Sequence, residues 1–127
     1  MAVKVGVNGA GGRMGQRVVA LTMKDAELEL AAALEWSGSP VLGKDAGEIA
    51  GAGKSGVLIA SELGPPVDVI IDFSTPAGLE SVLKLCESRR IPLVVATTGI
   101  EKHLRDAVYS ASQTTPIVMA PSMSMAV

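Results

Sequence analysis

The chain has 127 residues and a formal net charge of -2, with 48% hydrophobic and 19% charged residues. That is one domain of ordinary size with enough apolar matter for a core, and it excludes a disordered chain. The balance of 11 basic and 13 acidic residues leaves no electrostatic footprint for nucleic acid or an anionic membrane surface.

The elements follow in order. Val3 to Asn8 is short, β-branched and apolar, which reads as a strand and lacks the apolar core of a signal peptide. Arg13 to Lys24 reads as a helix with Met14, Val18 and Leu21 on its apolar face. Leu28 to Leu34 is a second strand. Trp36 to Gly56 is rich in Gly, Ser and Ala, with one turn of helix over Ala46 to Ile49. A loop of that length is either mobile or functional. Val57 to Ala60 is a weaker strand and Val67 to Ser74 a strong one. Thr75 is placed to cap, and Pro76 to open, a helix whose face is Leu79, Val82, Leu83 and Cys86. Leu93 to Ala96 is a strand, broken by Thr97, Thr98 and Gly99. Ile100 to Ser112 reads as helix and Pro116 to Ala120 as strand.

Strands alternating with helices predict βαβ units. The expected fold is α/β: a Rossmann-type, doubly wound, mostly parallel sheet with helices on both faces, in one domain over residues 1–127. No apolar run approaches the roughly 20 residues that span a bilayer. A cytoplasmic protein is expected. The single cysteine, Cys86, has no internal disulfide partner and reads as a buried thiol in a reducing compartment.

Chemistry concentrates at the strand ends. The first strand runs into Gly9, Ala10, Gly11, Gly12, Arg13, Met14 and Gly15. A glycine turn between strand and helix lets the backbone approach a pyrophosphate and aims free N–H groups at it. The strict dinucleotide pattern asks for glycine at 9, 11 and 14, and position 14 is Met. The spacing 9, 12 and 15 is complete. The alternative is a tight turn that binds nothing. Glu35 follows the second strand, about 20 residues past Gly15, where such folds bind the adenine ribose hydroxyls. Its alternative is a solvated loop carboxylate. A cation after that acid would suit a 2′-phosphate. Trp36 stands there instead and can only stack or pack, so NADH is the expected cofactor, with NADPH possible. Trp36 and Phe73 are two of the three aromatic residues, and both sit at strand ends. Asp72, Ser74, Thr75 and Pro76, then Thr97, Thr98 and Gly99, then Ala120, Pro121, Ser122 and Met123 occupy other strand ends and together outline one rim of a cleft. His103 lies on a helix with no partner base, and no Cys/His spacing suits a metal.

Taken together, VNGAGGRMG, AALE, VIIDFSTP, ATTG and APSMS, in that order, resemble the dinucleotide-binding domain of dihydrodipicolinate reductase. The loop LGKDAGEIAGAGKSGV is similar to that family's loop as well. The resemblance implies that Gly9 to Met14 hold the pyrophosphate and adjacent ribose, and that Glu35 binds the adenine ribose. An Arg often follows that acid in the family, and Trp36 departs from this. The resemblance further implies that Phe73, Ala96, Thr97 and Thr98 face the nicotinamide half, with Thr98 also toward the substrate. Ala120 to Met123 correspond to a segment often written APNF. It implies hydride transfer from nicotinamide to a cyclic unsaturated dicarboxylate in diaminopimelate and lysine biosynthesis, by a homotetramer. The family's His-His-x-x-Lys motif lies in a second domain and is absent from this sequence. No catalytic residue is therefore expected in these 127 residues, which are expected to bind cofactor without turnover. A stand-alone NAD(H) sensor would share the glycine turn and Glu35 without needing DFSTP or TTG. An S-adenosylmethionine enzyme is the other rival.

Overall fold

A computed structural model describes residues 2–119. Among the described residues ten elements follow in the expected order, strand and helix alternating except where the third strand runs on to the fourth without a helix. They are β1 (Val3–Asn8), α1 (Arg13–Lys24), β2 (Leu28–Leu34), α2 (Ala46–Ile49), β3 (Ile59–Ala60), β4 (Val69–Asp72), α3 (Pro76–Arg89), β5 (Leu93–Val95), α4 (Lys102–Ala111) and β6 (Ile117–Met119). The six strands form one sheet in the order β3-β2-β1-β4-β5-β6, and every strand pair is parallel. This is the doubly wound Rossmann order. Several strands are shorter than the apolar runs suggest: β4 starts at Val69, not Val67, and β3 at Ile59, not Val57.

Alternation along the strands sends neighbours to opposite faces. Val5, Val7, Ala33, Ile59, Val69 and Ile71 pack with Val19 of α1 and Ala46 of α2. Ile70, Leu93 and Val95 pack with Leu79, Leu83 and Cys86 of α3 and with Leu104 and Val108 of α4. Two cores thus sandwich one sheet. The α3 face matches its sequence stripe, and Thr75 accepts from the Gly78 N–H at 3.1 Å as the N-cap.

On α1 the stripe differs from the expected one. Gly15, Val19 and Thr22 are buried, while Met14 is exposed and Leu21 is 67% exposed. The reason is close approach. A Cβ on Gly15 would lie 2.7 Å from the Gly9 carbonyl carbon and overlap its oxygen. The helix seats on the glycine turn through its smallest residue, so the seam runs through position 15 and not through the largest apolar side chains.

Register aligns the strand C-termini on one edge. Asn8 pairs with Leu34 and with Asp72, Asp72 with Val95, and Val95 with Met119. The turns that follow these strands therefore share that edge.

The long loop after β2 is knitted onto β3. Gly43 N–H donates to Ile59 O at 2.8 Å and Ala46 N–H to Val57 O at 2.8 Å. Asp45 organises the segment: its carboxylate accepts from the N–H groups of Gly47, Glu48, Ser55 and Gly56 and from the Ser55 hydroxyl. These bonds, that from the Ser55 N–H foremost, hold the carboxyl well below the usual carboxylate range. A depressed pKa contributes stability above the unfolded value, about 4, that is lost as pH falls through the folded value. Asp45→Asn is therefore expected to lower Tm most near neutral pH. Thermal melts of both proteins from pH 7 to pH 2 should show the gap closing below about pH 4. A gap indifferent to pH would dissociate the clamp from the charge.

Candidate functional site

Three turns meet at the C-terminal edge of the sheet: residues 9–12 after β1, 35–37 after β2 and 73–75 after β4. The first is tied down by Gly9 N–H and Ala10 N–H, which both donate to Leu34 O, at 2.9 and 3.1 Å. Gly9 adopts φ +86°, and a Cβ there would lie 2.5 Å from Phe73 O. Only glycine lets these turns approach so closely. The N-cap of α1 is Gly12, with no side-chain cap, and no acidic residue stands in the first turn. The helix thus begins with N–H groups that no side chain satisfies, an arrangement suited to an anion.

Glu35 reaches across from β2. Its Oε2 accepts from the Gly11 N–H at 2.7 Å, and its Oε1 from the Trp36 N–H at 3.4 Å. A Cβ on Gly11 would meet Val41 at 2.9 Å and this carboxylate at 3.0 Å. So the acid and the glycine turn, separate signals in sequence, form one unit in space. Trp36 is 67% exposed, with its ring laid over Gly38. Its face is available to a flat ligand.

A groove of about 1150 Å³ opens between these turns and α3. Gly9, Gly12, Glu35, Trp36 and Phe73 line it, so the structure gathers these sequence-expected residues in one place. Ala10 is fully buried, Ala96 and Thr97 are buried beneath the rim, and Thr98 is exposed. Arg13 and Met14 do not line the groove. Their side chains border a separate depression of about 500 Å³ with Gln16, Arg17, Ala20 and Ala50, because they lie on the outer side of α1. Ala120, Pro121, Ser122 and Met123 lie outside the described residues. His103 sits exposed in the first turn of α4, 3.6 Å from Glu101.

Sequence reasoning missed part of the groove. Ser61, Glu62 and Leu63 after β3, and Arg89 of α3, line its far end, and no motif marks them. Asp72 stands among the strand-end candidates in the sequence, an acid inside the apolar run VDVIIDFS, but nothing in that run shows which side chains it holds. Asp72 is fully buried and accepts hydrogen bonds from Asn8, Ser74 and Thr97. Cys86 is buried near it. Desolvation, with the Asp72 charge adding to it, pushes the thiol up to about 12, which keeps it protonated and unreactive.

A model of the family described as "Dihydrodipicolinate reductase, N-terminus" matches residues 3–123. The chain belongs to the dihydrodipicolinate reductase family. Solved structures agree on the fold. A dipicolinate-bound dihydrodipicolinate reductase from Paenisporosarcina sp. TG-14 superposes with TM-score 0.69 at 22% identity, covering 95% of this chain and 48% of that one. Aspartate semialdehyde dehydrogenase with NADP from Candida albicans gives TM-score 0.65 at 16% identity, covering 94% and 42%. The 1-deoxy-D-xylulose 5-phosphate reductoisomerase of Zymomonas mobilis, in complex with NADPH, gives 0.55 at 16% identity, covering 94% and 38%. The chain spans about half the length of that dihydrodipicolinate reductase. It is the dinucleotide-binding domain of this reductase family, whose fold related dehydrogenases share.

Proposed function

We propose that the chain is the cofactor-holding half of a 4-hydroxy-tetrahydrodipicolinate reductase and takes NADH in preference to NADPH. The observation that carries this reading is the Glu35 carboxylate on the Gly11 N–H at the mouth of the groove. It sets an acid where ribose hydroxyls would be recognised, next to uncapped helix N–H groups where a pyrophosphate would rest. The residues present fit such a group: the glycine turn has no Cβ in the way, and Trp36 offers a face for stacking. In this reading Gly9 to Met14 cradle the pyrophosphate, with Arg13 and Met14 contributing backbone N–H groups. Glu35 and Trp36 hold the adenosine. Phe73, Ala96, Thr97, Thr98 and the segment Ala120 to Met123 border the nicotinamide half, with Thr98 facing the substrate.

When bound, the nicotinamide supplies hydride to a cyclic unsaturated dicarboxylate, a step of diaminopimelate and lysine biosynthesis. The protein's own part is to bind, orient and exclude water. A second domain would add the proton donor and the substrate-carboxylate contacts in a cytoplasmic homotetramer. The 127 residues alone then bind cofactor and do not turn over.

Fluorescence titration tests the reading. NADH should saturate the chain, and NADPH should bind about tenfold more weakly, because the Glu35 carboxylate opposes a 2′-phosphate. Tighter binding of S-adenosylmethionine, or no saturation with NADH, would sink it. A steady-state reductase assay on the same chain should read no turnover; robust turnover would place the proton donor inside these residues.

A further inference from the structure

Asp72 ends β4 with no exposure to solvent. Its strand partner Val95 and the nearby Cys86 are fully buried as well. An apolar side chain would be easier to bury there. What the carboxylate adds is direction. Its Oδ1 accepts from Asn8 Nδ2 at 2.9 Å and from Ser74 Oγ at 2.5 Å, and its Oδ2 accepts from the Thr97 hydroxyl. The Thr97 Oγ1 in turn accepts from the Ser74 N–H at 3.0 Å. Asn8, Ser74 and Thr97 stand at the C-terminal ends of β1, β4 and β5, three adjacent strands. One carboxylate therefore holds three turns of the rim.

A hydroxyl has one hydrogen to give. Ser74 and Thr97 give theirs to Asp72; Ser74 Oγ also lies 3.2 Å from Thr75 O, but the carboxylate oxygen at 2.5 Å is the closer and charged acceptor. Asn8 Nδ2, at 3.3 Å, occupies one lone pair of Ser74 Oγ and the Ser74 N–H one of Thr97 Oγ1, so one lone pair remains on each oxygen. Ser74 lines the groove, so it meets a ligand as an acceptor. Topology says which end of a dinucleotide arrives there. Glu35 lies on the β2 side of β1, and Ser74 and Thr97 on the β4 and β5 side. With a pyrophosphate on the turn between them, the two nucleosides fall on opposite sides.

We infer that Asp72 is a positioning residue for the nicotinamide riboside end of the cofactor, orienting Ser74 both directly and through the buried Thr97, whose Oγ1 holds the Ser74 N–H, so that Ser74 accepts a hydrogen bond from the ligand's hydroxyl or amide donors. The inference rests on the dinucleotide reading above. Asp72→Asn would break the orientation, because the amide nitrogen donates where the carboxylate only accepted.

The experiment titrates NADH and ADP, which lacks the nicotinamide riboside, into the 127-residue chain and into Asp72→Asn, Thr97→Val and Thr97→Ser. Asp72→Asn and Thr97→Val should weaken NADH about tenfold while ADP stays within about twofold. Thr97→Ser, which keeps the hydroxyl, should bind NADH like the wild type. Thermal melts accompany each variant, and if Asp72→Asn does not fold, the Thr97 pair decides. Parallel losses of NADH and ADP would overturn the inference in favour of a purely structural carboxylate, as would no loss of either. Wild-type protein that binds ADP as tightly as NADH would overturn it too, since that rim would then grip nothing. Wild-type protein that binds neither would overturn the dinucleotide reading itself.

Discussion

Gly15→Ala is expected to destabilise the protein by about 3 kcal/mol, the upper part of the range for forcing an atom into a packed site. The added Cβ would overlap the Gly9 carbonyl oxygen and lie 2.7 Å from its carbon and 3.0 Å from the Ala10 Cα. All of these are backbone atoms, so no side chain can swing aside. Relief would require α1 to lift off the turn, which would loosen Val19 and Thr22 from the sheet. A domain of this size loses roughly 4 °C of Tm per kcal/mol, so a fall of about 12 °C is expected by calorimetry. NADH affinity should fall with it, because the same movement displaces the N–H groups proposed to hold the pyrophosphate. Gly64→Ala is the control: nothing lies within 4 Å of a Cβ there and its φ is not positive. That variant should stay within about 0.5 kcal/mol of wild type. Equal effects at the two positions would contradict the close-approach account of α1.

Glu35→Ala is expected to weaken NADH by about 10- to 100-fold, the loss of one or two charge-assisted hydrogen bonds. NADPH should respond differently. Removing the carboxylate also removes a negative charge from the place a 2′-phosphate would take, and it frees the Gly11 N–H that Glu35 now holds at 2.7 Å. NADPH affinity should therefore hold or rise, and the roughly tenfold preference for NADH should be lost or reversed. Titration of both cofactors into both proteins reads this directly. A common loss for the two cofactors would show that Glu35 acts by holding the turn and does not discriminate at the ribose. Because the Glu35 Oε2 already sits on the turn, circular dichroism of the variant is needed alongside to show that the turn survives.

The two cases differ in how far the sequence alone reached. The alternation of strand and helix, the caps at Thr75 and Pro76, and the α3 face were legible because each depends on neighbours three or four residues away. The glycine turn and Glu35 were legible for the same local reason, a spacing after a strand. The face of α1 was not. Sequence periodicity weighs side chains by hydrophobicity, and the seam of α1 runs through a residue with none. Arg13 and Met14 enter the motif by spacing alone, and the direction of their side chains, which border a depression apart from the groove, is set by the helix they open. Composition does not decide between mobility and function for the long loop. Its organiser, Asp45, collects donors from residues up to 11 positions away, which no local pattern reveals.

Asp72 marks the boundary most sharply. The residues that satisfy it, Asn8, Ser74 and Thr97, span positions 8 to 97 and come together only when β1, β4 and β5 lie side by side. The sequence by itself determined the fold class and the family and marked the strand ends of the candidate site, since these rest on short-range spacing and on turn chemistry. Only the tertiary structure decided which glycine is the contact, that Glu35 and the turn are one unit, and that a buried carboxylate anchors the rim. Those facts depend on distances between segments far apart in the chain, and parallel pairing alone brings them within hydrogen-bond reach.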